Sequence, residues 1–318
     1  MIIAMIGRKH TTIGGAAVLG APLGKSKPRF WELDFVRGLF VVLMCFDHFA
    51  YVAYRMLPDM IGLLGAGPMM DIARAGRDYW NSEFRNVIRP FILFGFLALC
   101  GVGCTLSRSN AKRSGDIMAV ALAVSSVTYA FDCFAEGSFI VFGVIHMLGV
   151  SIALYVGLEF VFGMAARLVK GRGKEIAKWT ARLLPGLIGF ALMVVYMRYF
   201  ADFAYGQVEP FPSTVDAPSS AAGRFFGGLF VEFRGPAFQS ADYYPLLPYG
   251  LFVLMGTLFG WIAYRFPMEK GPAFSRPAKK WNAGICWIGR KAIWFYAFHQ
   301  VIAMAVFFIC CLITSWVV

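Results

Sequence analysis

Three of the four histidines in this 318-residue chain, His48, His146 and His299, stand inside long apolar runs, and only His10 does not. An ionisable side chain at mid-membrane depth costs roughly 2.5–3.5 kcal/mol on insertion scales, so each such residue is a functional candidate. An imidazole there can pass a proton, hold a metal or pack against a carbonyl. The first of these runs, DFVRGLFVVLMCFDHFAYVAY, also carries Asp34, Arg37 and Asp47. Arg37 and His48 are eleven positions apart, which on a helix leaves them within about 20° of one face and about 16 Å apart along the axis. Asp34 is three positions before Arg37 and can pair with it. Asp47 points about 100° away from His48.

Seven apolar segments must position these residues: about 33–54, 87–106, 116–133, 138–164, 182–200, 245–264 and 288–316. Counted along such helices, His48, His146 and His299 lie roughly 21, 18 and 15 Å from the inner end of their spans, one layer drawn from three helices. A tri-histidine metal site needs the same convergence, but none of the three has a second histidine at i+4, so no metal is expected. The seven cysteines form no CxxC pair and read as buried thiols.

The composition agrees with spans. Apolar residues make up 59% and charged residues 15%, and the mean hydropathy is +0.64. Soluble domains are about 25% charged, which argues against a soluble enzyme, and the composition excludes a disordered chain, a coiled coil and a disulfide-stapled miniprotein. The expected fold is all-α: a polytopic membrane bundle of about seven helices in a lipid bilayer. The net charge of +12 belongs to membrane loops rather than to nucleic-acid binding. With the N-terminus inside, inner segments hold 21 Lys/Arg and outer segments 8, which favours N-in and C-out. Residues 1–30 read as a mobile basic tail and 31–318 as one transmembrane domain. In the outer connection 201–244, FGGLFVEF reads as an interfacial or re-entrant segment. No internal repeat is visible.

WELDFVRGLFVVLMCFDHF resembles the opening of the bacterial heparan-α-glucosaminide N-acetyltransferase-like membrane family. Further resemblances follow in the family's order: RPFILFGFLALCGVGCTLS, FIVFGVIHMLGVS, DYYPLLPYGLFVLMGTLFG and IGRKAIWFYAFHQ. The five blocks cover about residues 31–305. Departures are Cys100 and Ala292, each where serine is common, and the additional luminal domain and further spans of the lysosomal member are not expected here. The resemblance implies a multi-pass cell-membrane acyltransferase moving acetyl from cytoplasmic acetyl-CoA to an amine or hydroxyl of a sugar-like acceptor. A homo-oligomer is compatible with it.

On that reading His48 is the base or a transiently acylated nucleophile, and His146 and His299 orient it or donate to the oxyanion. Arg37 holds the anionic end of CoA, with Arg108 and Arg290 steering it. Asp47, Asp242, Tyr243 and Gln300 are grouped on the substrate side. The alternative is a solute or proton transporter that uses the same histidines as a relay; it has no need of the Arg37–His48 spacing.

Overall fold

The computed structural model describes residues 30–133, 137–201, 212–235, 238–264 and 281–317. The expected tail, 1–30, therefore lies outside the described residues except for Phe30. Seven helices are long and apolar enough to cross a membrane, and the chain is an all-α polytopic bundle. The spans are α1 (Trp31–Arg55), α4 (Glu83–Leu106), α5 (Asn110–Asp132), α6 (Val144–Leu168), α7 (Lys174–Tyr199), α9 (Leu246–Tyr264) and α11 (Ala292–Val317). Between them stand four short helices: α2 (Leu57–Leu64), α3 (Met70–Trp80), α8 (Ala221–Phe230) and α10 (Ala283–Arg290).

Polar caps start two of the long spans. Ser82 Oγ accepts the Arg85 N–H at 3.3 Å, and Ser109 Oγ accepts the Lys112 N–H at 3.3 Å, so orphan donors at the heads of α4 and α5 are met. Helix packing then depends on close backbone approach, which in lipid replaces the hydrophobic drive between helices. A Cβ on Gly101 of α4 would lie 1.9 Å from the Val253 carbonyl oxygen, and one on Gly256 of α9 would lie 2.0 Å from that of Ala98. Phe30 and Tyr264 meet edge to face at 4.9 Å, so the start of α1 and the end of α9 share one end of the bundle.

Two spans differ from expectation. The fourth was expected from residue 138, but α6 begins at Val144, which puts His146 in its first turn. Residues 138–143 find their partners outside a helix. Asp132 Oδ1 accepts the N–H groups of Ser138 (2.7 Å) and Phe139 (3.1 Å), and Ser240 Oγ accepts those of Val141 (3.0 Å) and Phe142 (3.4 Å). Hydropathy registers only that this segment is apolar, not that side chains from elsewhere satisfy its backbone. The seventh span was expected from 288, but it is a broken helix. α10 lies along the first turns of α1, where Gly38 and Gly289 remove the Cβ atoms that would strike the Ile285 and Asp34 carbonyls. The chain breaks at Lys291 and resumes as α11.

The connection between α1 and α4 folds as α2 and α3 against α1 and α11, around Leu57, Ile61, Met69, Ala73 and Cys311. The FGGLFVEF segment contributes to α8, a ten-residue helix with Phe225, Phe226 and Phe230 exposed. All seven cysteines are free thiols.

Replacing Gly256 by Val is expected to force α4 and α9 apart and to cost about 1–3 kcal/mol or more, read as a lower melting temperature in detergent. Gly115→Ala, where nothing lies within 4 Å of the added carbon, is expected to leave melting unchanged. Reporters fused at the two termini are expected to fall on opposite sides of the membrane, with the C-terminal one external.

Candidate active site

His48 on α1 and His299 on α11 meet edge to face, with ring centroids 4.6 Å apart and planes at 85°. His48 Nδ1 lies 2.9 Å from the Met44 carbonyl. His299 Nδ1 lies 2.7 Å from the Tyr296 carbonyl and 3.1 Å from that of Phe295. A carbonyl only accepts, so in both rings Nδ1 carries the proton and Nε2 the lone pair. His299 Nε2 is buried and has no hydrogen-bond partner among the described residues. Two basic nitrogens are thus held by the backbone of two different helices.

Tyr296, one turn before His299, joins this pair to Asp242. Its hydroxyl donates to Asp242 Oδ2 at 3.0 Å, and the Val144 N–H donates to the same oxygen at 3.1 Å. Asp242 therefore caps α6, where a negative charge meets the positive end of the helix dipole. Burial pushes the Asp242 carboxyl above its ordinary range, against the Val144 N–H and the Tyr296 hydroxyl, which favour the charged form. The Arg89 guanidinium donates to the Tyr244 hydroxyl at 3.0 Å, and its charge acts on both His48 and Asp242.

His146 occupies a different setting. Its Nδ1 accepts the Gly143 N–H at 3.3 Å, and its Nε2 lies 3.1 Å from Ser125 Oγ. That hydroxyl already donates to the Ile140 carbonyl at 2.7 Å, so it accepts from Nε2–H. Both ring nitrogens are engaged in fixing the head of α6. Of the three histidines, His48 and His299 meet as a pair, while His146 stands at the head of α6, within electrostatic reach of Asp242.

Asp47 is taken up by structure. Arg85 grips it through Nε (2.7 Å) and Nη2 (3.2 Å), and the Tyr79 hydroxyl donates to it at 3.2 Å. The Arg85 side chain is 1% exposed, and its guanidinium carbon lies 3.3 Å from the centre of the Trp80 ring. Burial, and then the neighbouring carboxylate, push the Tyr79 hydroxyl up to about 12. This clamp ties α3 and α4 to α1 one residue before His48.

Towards the basic end, Arg37 pairs with Asp34 at 3.2 Å, as its spacing implied. A second guanidinium, Arg113 of α5, lies near it. Arg113 is bonded to Cys100 Sγ (3.3 Å), Cys104 Sγ (3.7 Å) and the Cys100 carbonyl (3.4 Å). Cys104, Arg108 and Asn110 line an adjoining cavity of about 330 Å³. Arg290 is exposed at the break between α10 and α11 rather than in a loop, and Gln300 is exposed beside His299. The Tyr243 hydroxyl donates to the Gly228 carbonyl at 2.7 Å, which ties α8 to the entrance of α9; burial pushes this phenol up.

Sequence reasoning missed Tyr296, Arg89, Arg85, Tyr79 and Arg113. Arg55, Arg74, Arg77, Arg85 and Arg89 read alike in the sequence as five charges of one connection; in the structure Arg85 is the buried partner of Asp47. Tyr296 stands three positions before His299, so helical spacing alone placed it beside that ring.

The model of the family described as heparan-alpha-glucosaminide N-acetyltransferase, catalytic, matches residues 60–166 and 225–301, more than half of the chain. Arg89, His146, Asp242, Tyr296 and His299 lie within the matched stretches, while Arg37, Asp47 and His48 precede them. No curated protein and no solved structure matches the chain.

Asp47→Ala leaves the Arg85 charge buried without its partner and is expected to cost about 3–5 kcal/mol of stability, measured as a fall in melting temperature. Adding Arg85→Met to that variant is expected to restore part of the loss, since an apolar side chain of similar length removes the stranded charge.

Proposed function

The chain belongs to the heparan-alpha-glucosaminide N-acetyltransferase catalytic family of membrane acetyltransferases, and from that premise we propose that it moves acetyl from acetyl-CoA to an amine or hydroxyl of a sugar-like acceptor. The observation that carries the reading is the His48–His299 pair with both Nδ1 atoms committed to carbonyls. Such rings present Nε2 as base, and acyl transfer needs a base at the acceptor.

His48 Nε2 takes the proton from the acceptor N–H or O–H as that atom bonds to the thioester carbonyl carbon. The tetrahedral intermediate then collapses with cleavage of the C–S bond, and the proton on His48 passes to the departing thiolate. His299 shares the site as a second base. In its Nδ1–H form its Nε2 has no hydrogen to give to an oxyanion, and both nitrogens of His146 are already engaged. Oxyanion stabilisation therefore falls to the Arg89 charge. Asp242, with Tyr296, presents a carboxylate edge to an amine or hydroxyl acceptor.

The donor enters at the basic end. Arg37 and Arg113 offer two guanidiniums for its phosphates, and Arg108 stands at the adjoining cavity. From Arg37 to His48 is about 16 Å of helix, of the order of a pantetheine arm. The cell membrane, with the basic end in the cytoplasm where CoA is found, is the location that suits this route.

Thiol release from acetyl-CoA, measured in detergent with a panel of amino sugars, tests the assignment. His48→Ala is expected to fold and to bind CoA yet to lose turnover by about 10²–10⁴. His299→Ala is expected to lose less, and His146→Ala to lower melting temperature more than turnover per folded molecule. Near-normal turnover by His48→Ala would overturn the assignment.

A further inference from the structure

At the basic end of the bundle, between the end of α6 and the start of α7, lies a cavity of about 350 Å³ lined by Arg167, Lys174, Lys178 and Arg182. One carboxylate, Glu159, faces these four cations. Gly163, Ala166 and Ala181 make the room. Preference for basic loops on one side explains which side the charges occupy; it does not explain their convergence on one crevice between two spans.

Arg182 is held in an unusual way. Its guanidinium carbon lies 5.2 Å from the centre of the Trp179 ring and 5.0 Å from that of Trp261. The two indoles stand at 89° with centroids 6.1 Å apart, and Trp261 Nε1–H donates to the Tyr155 hydroxyl at 3.3 Å. Aromatic faces orient the guanidinium. Among the described residues no carboxylate lies within ion-pair distance of Arg167, Lys174 or Arg182, while Lys178 pairs with Glu175 at 2.5 Å.

About 100° round α6 from the crevice-lining Glu159, Gly163 and Arg167 runs an exposed apolar face. Phe160, Met164 and Leu168 form a stripe at four-residue spacing along α6 and are 65%, 50% and 82% exposed; Ile176 of α7 is 72% exposed. A soluble anion needs the cations but not this face. A molecule with an anionic head and apolar chains uses both.

We propose that this crevice binds the phosphate headgroup of an anionic phospholipid, with the acyl chains against the apolar stripe of α6. Basic pockets between spans on this side of a membrane suit such headgroups. Arg182 and Arg167 offer planar forks to phosphate oxygens, and Lys174 and Lys178 add charge. The site is separate from the histidine pair; it shares Glu159 with the cavity beside Arg108, which Trp261 also lines, and its lipid retention is measured independently of acetyl transfer.

The test uses the purified full chain in detergent. Lipid retention is measured by native mass spectrometry and melting temperature by a thermal scan, with added dioleoylphosphatidylglycerol, dioleoylphosphatidylcholine or sn-glycerol 3-phosphate. Wild type is expected to retain and be stabilised by the phosphatidylglycerol, and not by the other two. Arg167→Gln with Lys174→Gln, both exposed side chains, is expected to bind it roughly thirtyfold more weakly, the loss for two charges near a lipid surface. The charge-preserving exchange Arg167→Lys with Lys174→Arg should keep retention. Lys112→Gln, which removes an exposed cation paired with Asp116, should also keep it. Equal stabilisation by sn-glycerol 3-phosphate would mean a site for soluble phosphates and would overturn the proposal. Unchanged phosphatidylglycerol binding in the double variant would overturn it too, as would a fall in CoA affinity with lipid retention intact.

Discussion

A helix that begins inside an apolar bundle exposes backbone N–H groups with no water to receive them, and α6 begins this way at Val144. Asp242 answers that need from a different part of the chain, with Oδ2 shared between the Val144 N–H and the Tyr296 hydroxyl. The site follows from this one carboxylate. Tyr296, held by its hydroxyl, offers its own carbonyl to His299 Nδ1, which sets the tautomer of the ring facing His48. His146 and Ser125 complete the same helix head. The entrance of α9 is fixed because Asp242 lies just before it. The carboxylate, the helix end and the His299 Nδ1–H are one connected polar system through Tyr296, which leaves Nε2 of that ring as its one open position among the described residues.

Charges in this bundle are treated in two ways. Near the site, Asp47 and Arg85 neutralise each other within a clamp that includes Tyr79 and Trp80. A pair of this kind locks α3 and α4 to α1 and leaves little field behind. At the basic end, Arg113 leans on thiols and Arg182 on indoles. Sulfur and aromatic faces orient a guanidinium without cancelling its charge, so these arginines stay attractive to phosphate. The first arrangement ties helices together and the second leaves charge at the basic end of the bundle.

Close packing gives the site its precision. Gly38 and Gly289 let α10 lie against α1 at backbone distance, and the break at Lys291 then directs α11 so that His299 meets His48. Gly101 and Gly256 do the same for α4 and α9, which carry Arg89 and the segment after Asp242. Two rings 4.6 Å apart need supports that do not slide, and backbone contact slides less than long side chains do.

The number and type of spans were legible in the sequence, because a run of about twenty apolar residues has one stable answer in lipid. So was the Arg37–Asp34 pair, which depends only on helical spacing. The five sequence blocks pointed to the family, and of the three costly histidines the structure brings two, His48 and His299, together. What the sequence left open was every contact between segments far apart in the chain. His146 reads as the equal of His48 in hydropathy, yet it caps a helix, because the start of α6 depends on Asp132, Ser240 and Asp242 rather than on its own residues. Asp47 reads as a site residue, yet Arg85, 38 positions away, occupies its carboxylate. Spacing along one helix is set by local geometry; which polar groups meet across helices is set by packing, and only the folded bundle decides it.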